Sequence, residues 1–473
     1  YPLGLGYLSG SIIKNTNWSV QAYNADFNSK KKIFVPENDY ISDKGFKRYL
    51  NSIKNYSLPI WDEVKKTIEE FDPIVIGISA KTQNFISATM VAKIAKELNS
   101  EIRIIVGGVH PTMNRSKVLE NKYIDYISIG EGEDTIVKLL ITLENGKDLE
   151  SVDGIMFKKD GKVITTKPRS YVENLDSLDF PLTHAPKVLK DFEKFPKEAF
   201  GYVFASRGCP YACTFCESKS MWTRKVRYRS PENIVAELKK MYDFGIKKVN
   251  FDDDTFGISK KNIKALNNLM HLEVPKMTYT CETVVQLAKD ENVVKDMKHG
   301  GCTATFVGIE SGNNKILEKI KKTQTTDECI LAMDNLRKHG IESHAFIMVG
   351  FPDETEETFK QTMDFIPILK PDGVIFSIFT PYPGSDIYDE CKEKGIIKGD
   401  FDMALYNHQS PLNCFTKNIP KERFYELREK AFVFVDKYNN KAKFRRGIAS
   451  LKHRGIKATW KRVFTHYYSK FLN

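Results

Sequence analysis

Twice along this chain, short uninterrupted apolar runs alternate with amphipathic stretches, and this alternation limits the possible folds more than any other feature. A strand that is apolar along its whole length is buried on both faces, which is the condition of a parallel sheet covered by helices. The first series occupies 1–145. It reads as a helix over Leu3–Lys14, a strand over Ser19–Asn24, a helix over Trp61–Phe71 and a strand over Pro73–Ser79. A helix over Ile86–Leu98, strands over Ile102–Val106 and Tyr123–Ile129, and a helix over Glu133–Leu143 follow. The series opens on a helix, so its first strand is expected upstream of Tyr1, and the polar stretch 27–57 reads as an insertion. The expectation for 1–145 is a doubly wound, Rossmann-like α/β domain.

Residues 146–199 read as a connector, with a hairpin turn at Asp160-Gly161. A second βα series spans 200–385, with strands at Tyr202–Ala205, Lys248–Phe251, Met277–Thr280, Ala304–Val307, His344–Met348 and Gly373–Ser377. Six such units suit a partial, TIM-like βα barrel, whose chemistry gathers at the C-terminal ends of the strands. Residues 386–473 read as a helical C-terminal region.

Charge is concentrated in one place. The chain carries 72 Lys and Arg against 61 Asp and Glu, a net of +11. Residues 441–473 hold six Lys and four Arg with no acid, so the rest is nearly neutral and nucleic-acid binding is not expected. In that tail Ile456, Trp460, Phe464, Tyr467 and Phe471 recur at helical spacing. The stripe reads either as an amphipathic helix on an anionic membrane surface, or facing an acidic substrate, or as a terminal helix packed on the barrel. No apolar run reaches the roughly 18 residues of a membrane span, and the opening YPLGLGYL is no secretory signal.

Eight cysteines are too few for a disulfide scaffold, which points to a reducing, cytoplasmic setting. Cys281, Cys302, Cys329, Cys391 and Cys414 are scattered and read as small core residues. Cys209, Cys213 and Cys216 instead form C-x3-C-x2-C just after a strand. A structural zinc site needs a fourth ligand, and no second CxxC or HxxxH pair is present; a zinc knuckle completed by a remote Cys is the alternative. Three thiolates on a [4Fe-4S] cluster leave one iron open to a small molecule.

The segment Ser206-Arg-Gly-Cys-Pro-Tyr-Ala-Cys-Thr-Phe-Cys216 resembles the hallmark of the radical S-adenosylmethionine (SAM) superfamily. The resemblance implies that Cys209, Cys213 and Cys216 hold the cluster, that SAM chelates its open iron, and that reduction yields a 5′-deoxyadenosyl radical. Further positions follow in order over 200–385. Phe215 precedes the third Cys, Asp253 lies in the Asp252–Asp254 run, and Glu310 and Ser311 lie in Gly308-Ile-Glu-Ser-Gly312. Gly350 and Pro352 belong to Gly350-Phe-Pro-Asp-Glu-Thr355, which is similar to the GxPxET element that cradles adenine. All are implied SAM contacts.

Residues 1–145 resemble the cobalamin-binding domain that precedes many radical SAM barrels. The implied cobalamin contacts are Ser79, Lys81 and Thr82 after one strand, Gly107, Gly108 and His110 after the next, and Gly130, Glu131 and Gly132 after the third. Glycines at strand ends let a large ligand approach the backbone. The D-x-H-x-x-G motif that supplies a cobalt-ligating His elsewhere is absent from this sequence, and His110 reads either as a corrin contact or as a hydrogen-bonded turn residue.

The resemblance therefore implies an anaerobic, cobalamin-dependent radical SAM methyltransferase acting on an unactivated carbon, with [4Fe-4S], SAM and cobalamin as cofactors. Its partners would be a small-molecule, lipid or peptide substrate and an external low-potential electron donor. The alternatives are the same architecture doing cyclisation, ring contraction or oxidation, and a regulator that binds corrinoid or iron–sulfur without turnover.

Overall fold

The computed structural model describes residues 1–25, 52, 55–399, 401–402, 405–408 and 410–471, the last 25 of these as backbone only. The stretch 27–57 and the aromatic stripe of the tail thus lie mostly outside the described residues and side chains. The chain divides into two compact units. One runs through Asp254 and takes back Pro381–Asn407; the other comprises Thr255–Thr380 and the chain from His408.

The first unit is built on a five-stranded sheet in the order β1-β2-β3-β4-β5. Its strands are β1 (Val75–Ser79), β2 (Arg103–Gly107), β3 (Tyr126–Ser128), β4 (Ile155–Lys159) and β5 (Lys162–Thr165). The first three pair in parallel, and β3–β4 and β4–β5 pair antiparallel. Alternation along β2 sends Ile104 and Val106 to one face, against Val64, Ile68, Ala88 and Ala92 of the helices Pro59–Phe71 and Phe85–Leu98. Ile105 points the other way, with Tyr126, Phe157 and Leu139 of the helix Glu133–Glu144. Both faces are thus covered, as the apolar runs require.

Two readings differ from this sheet. The hairpin that reads as part of a connector adds β4 and β5 to the sheet, turning through Asp160 (φ 49°) and Gly161 (φ 76°), the conformation that twists with flanking strands. The strand expected at Ser19–Asn24 is reduced to one bridge between Ala22 and Leu189, so it forms no ladder with the sheet.

Beyond the hairpin the first unit holds β6 (Tyr202–Val203), parallel to β9 (Lys248–Phe251), and a short ribbon of β7 (Ser206–Arg207) against β8 (Arg227–Tyr228). The helix Pro231–Phe244 joins β8 to β9 and is capped by the Ser230 hydroxyl.

The second unit carries β10 (Thr278–Thr283), β11 (Cys302–Glu310), β12 (Glu342–Val349) and β13 (Gly373–Ile378), all parallel, with helices between. Six strands of the expected barrel series are therefore present, two in the first unit and four in the second. A helix over Lys421–Phe471 closes the chain. Its first half packs on this second unit: the Asn439 amide donates to the Val374 carbonyl and its oxygen accepts the Val374 N–H, both within 2.9 Å. Among the described residues no helix is long and apolar enough to cross a membrane.

Candidate cluster and corrin sites

The three cysteines lie on the loop that leaves β7. Gly208 turns the chain into it at φ 100°, and a Cβ there would stand 2.6 Å from the Lys225 carbonyl oxygen, so only glycine fits. No disulfide joins any of the eight cysteines; Cys281, Cys302, Cys329 and Cys391 are buried as core residues, and Cys414 is half-buried. Burial, with the neighbouring Asp254, Cys213 and Cys209, pushes the Cys216 thiol up to about 12. The three half-buried cysteines are thus close enough to act on one another, and at Cys216 a bound cation would compensate the cost of ionising the thiol.

Among the described residues no three His, Cys, Asp or Glu side chains converge as a single-ion site does. A four-iron cube takes each thiolate at a different corner, so the donor set fits a cluster better than a closed mononuclear site. The same loop is held from behind. The Ile387 N–H donates to the Thr214 carbonyl (3.0 Å), the Ser220 hydroxyl donates to the Gly384 carbonyl (2.6 Å), and Lys219 pairs with Asp386. The segment Pro381–Asp386 thus straps the loop down. Phe215 is half-buried.

Asp253 is turned inward. Its carboxylate accepts from the Ala205 N–H (2.9 Å) and the Ser206 hydroxyl (2.5 Å), and burial pushes it up to about 7. It therefore braces the backbone that leads into the cysteine loop. The sequence signal was a carboxylate at a strand end; its inward direction depends on Ser206, 47 residues earlier.

In the second unit Glu310 ends β11 at a register shift, with φ 66°, a strained conformation for a residue with a Cβ. Its carboxylate pairs with Lys322 at 2.9 Å. Ser311 is fully buried and bonded to Thr362. Gln324, buried beside them, donates to the carbonyls of Gly308 and Ile309. Gly350 opens its turn at φ 92°, above the Phe424 ring, and Pro352 is buried. Glu354 braces this turn by accepting the Gly350 and Phe351 N–H groups, and complete burial pushes it up to about 8. Lys322, Gln324, Thr362 and Phe424 were not singled out from sequence, because each gains its place only through tertiary contact.

The predicted corrin contacts gather at the C-terminal ends of β1, β2 and β3 in the first unit. The Ala80 N–H donates to the Gly107 carbonyl and the His110 N–H to the Ala80 carbonyl. Gly108 has φ 105°, and a Cβ there would lie 2.9 Å from the Ala80 carbonyl oxygen. Thr112 links the next two ends, donating to the Gly108 carbonyl and accepting the Gly130 N–H at 3.0 Å. Ser79 and Lys81 are exposed, Gly107, Gly130 and Gly132 half-buried, and a Cβ on Gly130 would meet nothing within 4 Å. This row of glycine and hydroxyl positions brings backbone to the strand ends, open at Gly130 and closed by Leu8 at Gly132, and fits a large ligand approaching the backbone.

Two of the expected contacts are buried and bonded within the chain. His110 is buried, stacked on Phe85 at 4.1 Å and within 3.2 Å of the Thr82 hydroxyl, and burial lowers it to about 4, so it is neutral. Glu131 is fully buried and bound to Arg207 and Arg227. Burial alone would raise its carboxyl, but the two guanidiniums outweigh burial and hold it below the ordinary range.

Comparison with known proteins agrees with this arrangement. The Radical SAM superfamily matches residues 203–366, and the B12 binding domain matches 39–140. An uncharacterized methyltransferase of Pyrococcus horikoshii is 35% identical over 377 residues, spanning 79% of this chain and 81% of that protein. The anaerobic magnesium-protoporphyrin IX monomethyl ester cyclase of Rubrivivax gelatinosus is 29% identical over 361 residues, spanning 74% of this chain and 64% of the cyclase. Among solved structures, the radical SAM methyltransferase TsrM of Kitasatospora setae superposes with a TM-score of 0.65 at 16% identity, covering 83% of this chain and 72% of that one.

Proposed function

Because the chain belongs to the radical SAM enzymes that carry a B12-binding domain, we propose that it is a methyltransferase acting on an unactivated carbon of a small-molecule substrate. The family's cofactors are a [4Fe-4S] cluster, SAM and cobalamin, and its chemistry needs an external electron donor. The observation that carries the proposal is that the cysteine loop and the glycine-lined strand ends belong to one compact unit. When bound, the cluster with SAM supplies the 5′-deoxyadenosyl radical and the cobalamin supplies the methyl group.

The chain's own part is to hold and orient. Cys209, Cys213 and Cys216 hold the cluster, and Gly208 and the Pro381–Asp386 strap fix their loop. The backbone at Gly107, Gly108, Gly130 and Gly132, with Ser79 and Lys81, receives the corrin, while Thr82 and His110 support that floor from below. We assign Phe215, Glu310, Ser311, Gly350 and Pro352 to SAM on the strength of the resemblance, with Asp253 holding the loop's approach. Domain boundaries at about 200 and 385 follow the same reading, whereas the first sheet extends past 145 to take in β4 and β5.

A second reading is radical chemistry without methyl transfer, favoured by the similarity to the Rubrivivax cyclase. Methyl-deuterated SAM separates the two. With reductant and hydroxocobalamin, methyl transfer places the deuterated label on the corrinoid and then on product. Formation of 5′-deoxyadenosine with a product lacking that label would favour the second reading.

A further inference from the structure

Four charged side chains alternate in the interior of the first unit, in the order Glu133, Arg207, Glu131, Arg227. Arg207 reaches Glu133 at 2.6 Å and Glu131 at 2.7 Å. Arg227 bonds both oxygens of Glu131 at 2.9 Å. None of the four side chains is more than 7% exposed. The Val172 N–H completes the set at 2.8 Å on Glu131, and Arg227 returns a bond to the Val172 carbonyl. Rings close over the cations: Phe204, Tyr7 and Trp222 lie 4.9–5.7 Å from the Arg207 guanidinium, and Tyr171 lies 4.8 Å from that of Arg227.

The positions of these residues in the chain give the network a purpose. Glu131 lies between Gly130 and Gly132, on the loop that ends β3 at the proposed corrin floor. Arg207 lies two residues before Cys209, and Arg227 is its ladder partner across β7–β8. A buried ion network is seldom kept for stability, because desolvation consumes most of its Coulomb gain. What it does give is registry: planar forks meeting a carboxylate tolerate little displacement. Arg169 adds a bond to the Glu131 carbonyl, so the loop is gripped by backbone as well as side chain.

We propose that Glu131 is a positioning residue, which through Arg207 and Arg227 fixes the cysteine loop against the corrin-binding edge of the sheet. The proposal rests on the reading that both cofactors bind. Glu131 thus serves the corrin site by holding its distance from the cluster rather than by touching the ligand.

The test compares the parent chain with E131Q and with E131Q/R227Q. The double variant leaves Arg207 paired with Glu133 and no charge uncompensated, so it carries the test if E131Q does not fold. Each protein is reconstituted with iron, sulfide and hydroxocobalamin, then reduced until cluster and cobalt are both paramagnetic. The parent is expected to show one narrow dipolar coupling between the two centres. Each variant is expected to bind both groups at parental stoichiometry with a coupling distribution about twice as broad. A coupling that is unchanged in a loaded variant overturns the proposal. If the parent takes up no corrinoid, the cofactor reading fails on its own, and hydrogen exchange of the cofactor-free chains decides. Exchange at Gly208–Cys216 about tenfold faster in either variant supports the clasp, and parental rates there overturn it.

Discussion

Replacing Glu354 with Gln should remove one segment of the chain's pH dependence of stability. Glu354 has no exposed surface, accepts the Gly350 and Phe351 N–H groups, and ionises near 8 when folded instead of at the ordinary 4.5. Below about 4.5 the carboxyl is protonated in both states and contributes nothing to the pH slope. Between 4.5 and 8 the folded chain keeps a proton that the unfolded chain has lost, so stability falls as pH rises. The slope is about 1.4 kcal/mol per pH unit, and the accumulated loss at pH 9 is at most about 5 kcal/mol. Water reaching the carboxyl lowers that ceiling. A Gln keeps the shape and one acceptor but cannot ionise. E354Q is expected to match the parent within about 1 kcal/mol at pH 5.5, where the parent has lost about 1.4 kcal/mol to the slope and the variant buries an unpaired amide N–H, and to be a few kcal/mol more stable at pH 9. Urea unfolding of both chains from pH 5.5 to 9, followed by circular dichroism, measures the difference. Asp253, also pushed up, is common to both chains and cancels. Parallel profiles across the whole range would mean that Glu354 ionises alike in the folded and unfolded chains.

Three further outcomes are expected. C213A should lose the broad iron–sulfur absorption and SAM cleavage together, and a full cluster in that variant would count against the ligand assignment. G108A should lose about 1–3 kcal/mol and most hydroxocobalamin uptake, since its Cβ would press on the Ala80 carbonyl at φ 105°; parental stability and optical titration would contradict that. E310G and E310A both remove the carboxylate paired with Lys322, so their difference isolates the backbone at φ 66°. The glycine variant should be the more stable by about 1 kcal/mol in denaturant unfolding, and equal stabilities would mean the position is unstrained.

The strands were legible wherever burial on both faces made them apolar throughout, as in PIVIGIS and IRIIV, and the cysteine spacing was legible because its three residues are local. Ser19–Asn24 misled because a short apolar alternation carries no information on whether a neighbour is there to pair with it; only Ala22 finds one. The clasp was invisible for a different reason. Glu131 and Arg227 are 96 residues apart, and charged residues beside glycines read as ligand contacts or solvated turns. Asp253 shows the same limit: its place at a strand end was readable, but not the inward turn that the Ser206 hydroxyl and Ala205 N–H impose. Sequence pattern reports which backbone is buried; it does not report which polar groups are buried with it.

On the proposed function one chain holds an iron–sulfur cluster on three cysteines and a corrinoid on the neighbouring sheet. Oxygen-free reconstitution with iron, sulfide and hydroxocobalamin, followed by metal analysis of the desalted protein, addresses it directly. The expected result is about four iron atoms and about one cobalt per chain, the iron lost and the cobalt kept in C209A/C213A/C216A. Tightly held zinc at the cysteine loop, or a chain that retains no cobalt, would contradict it.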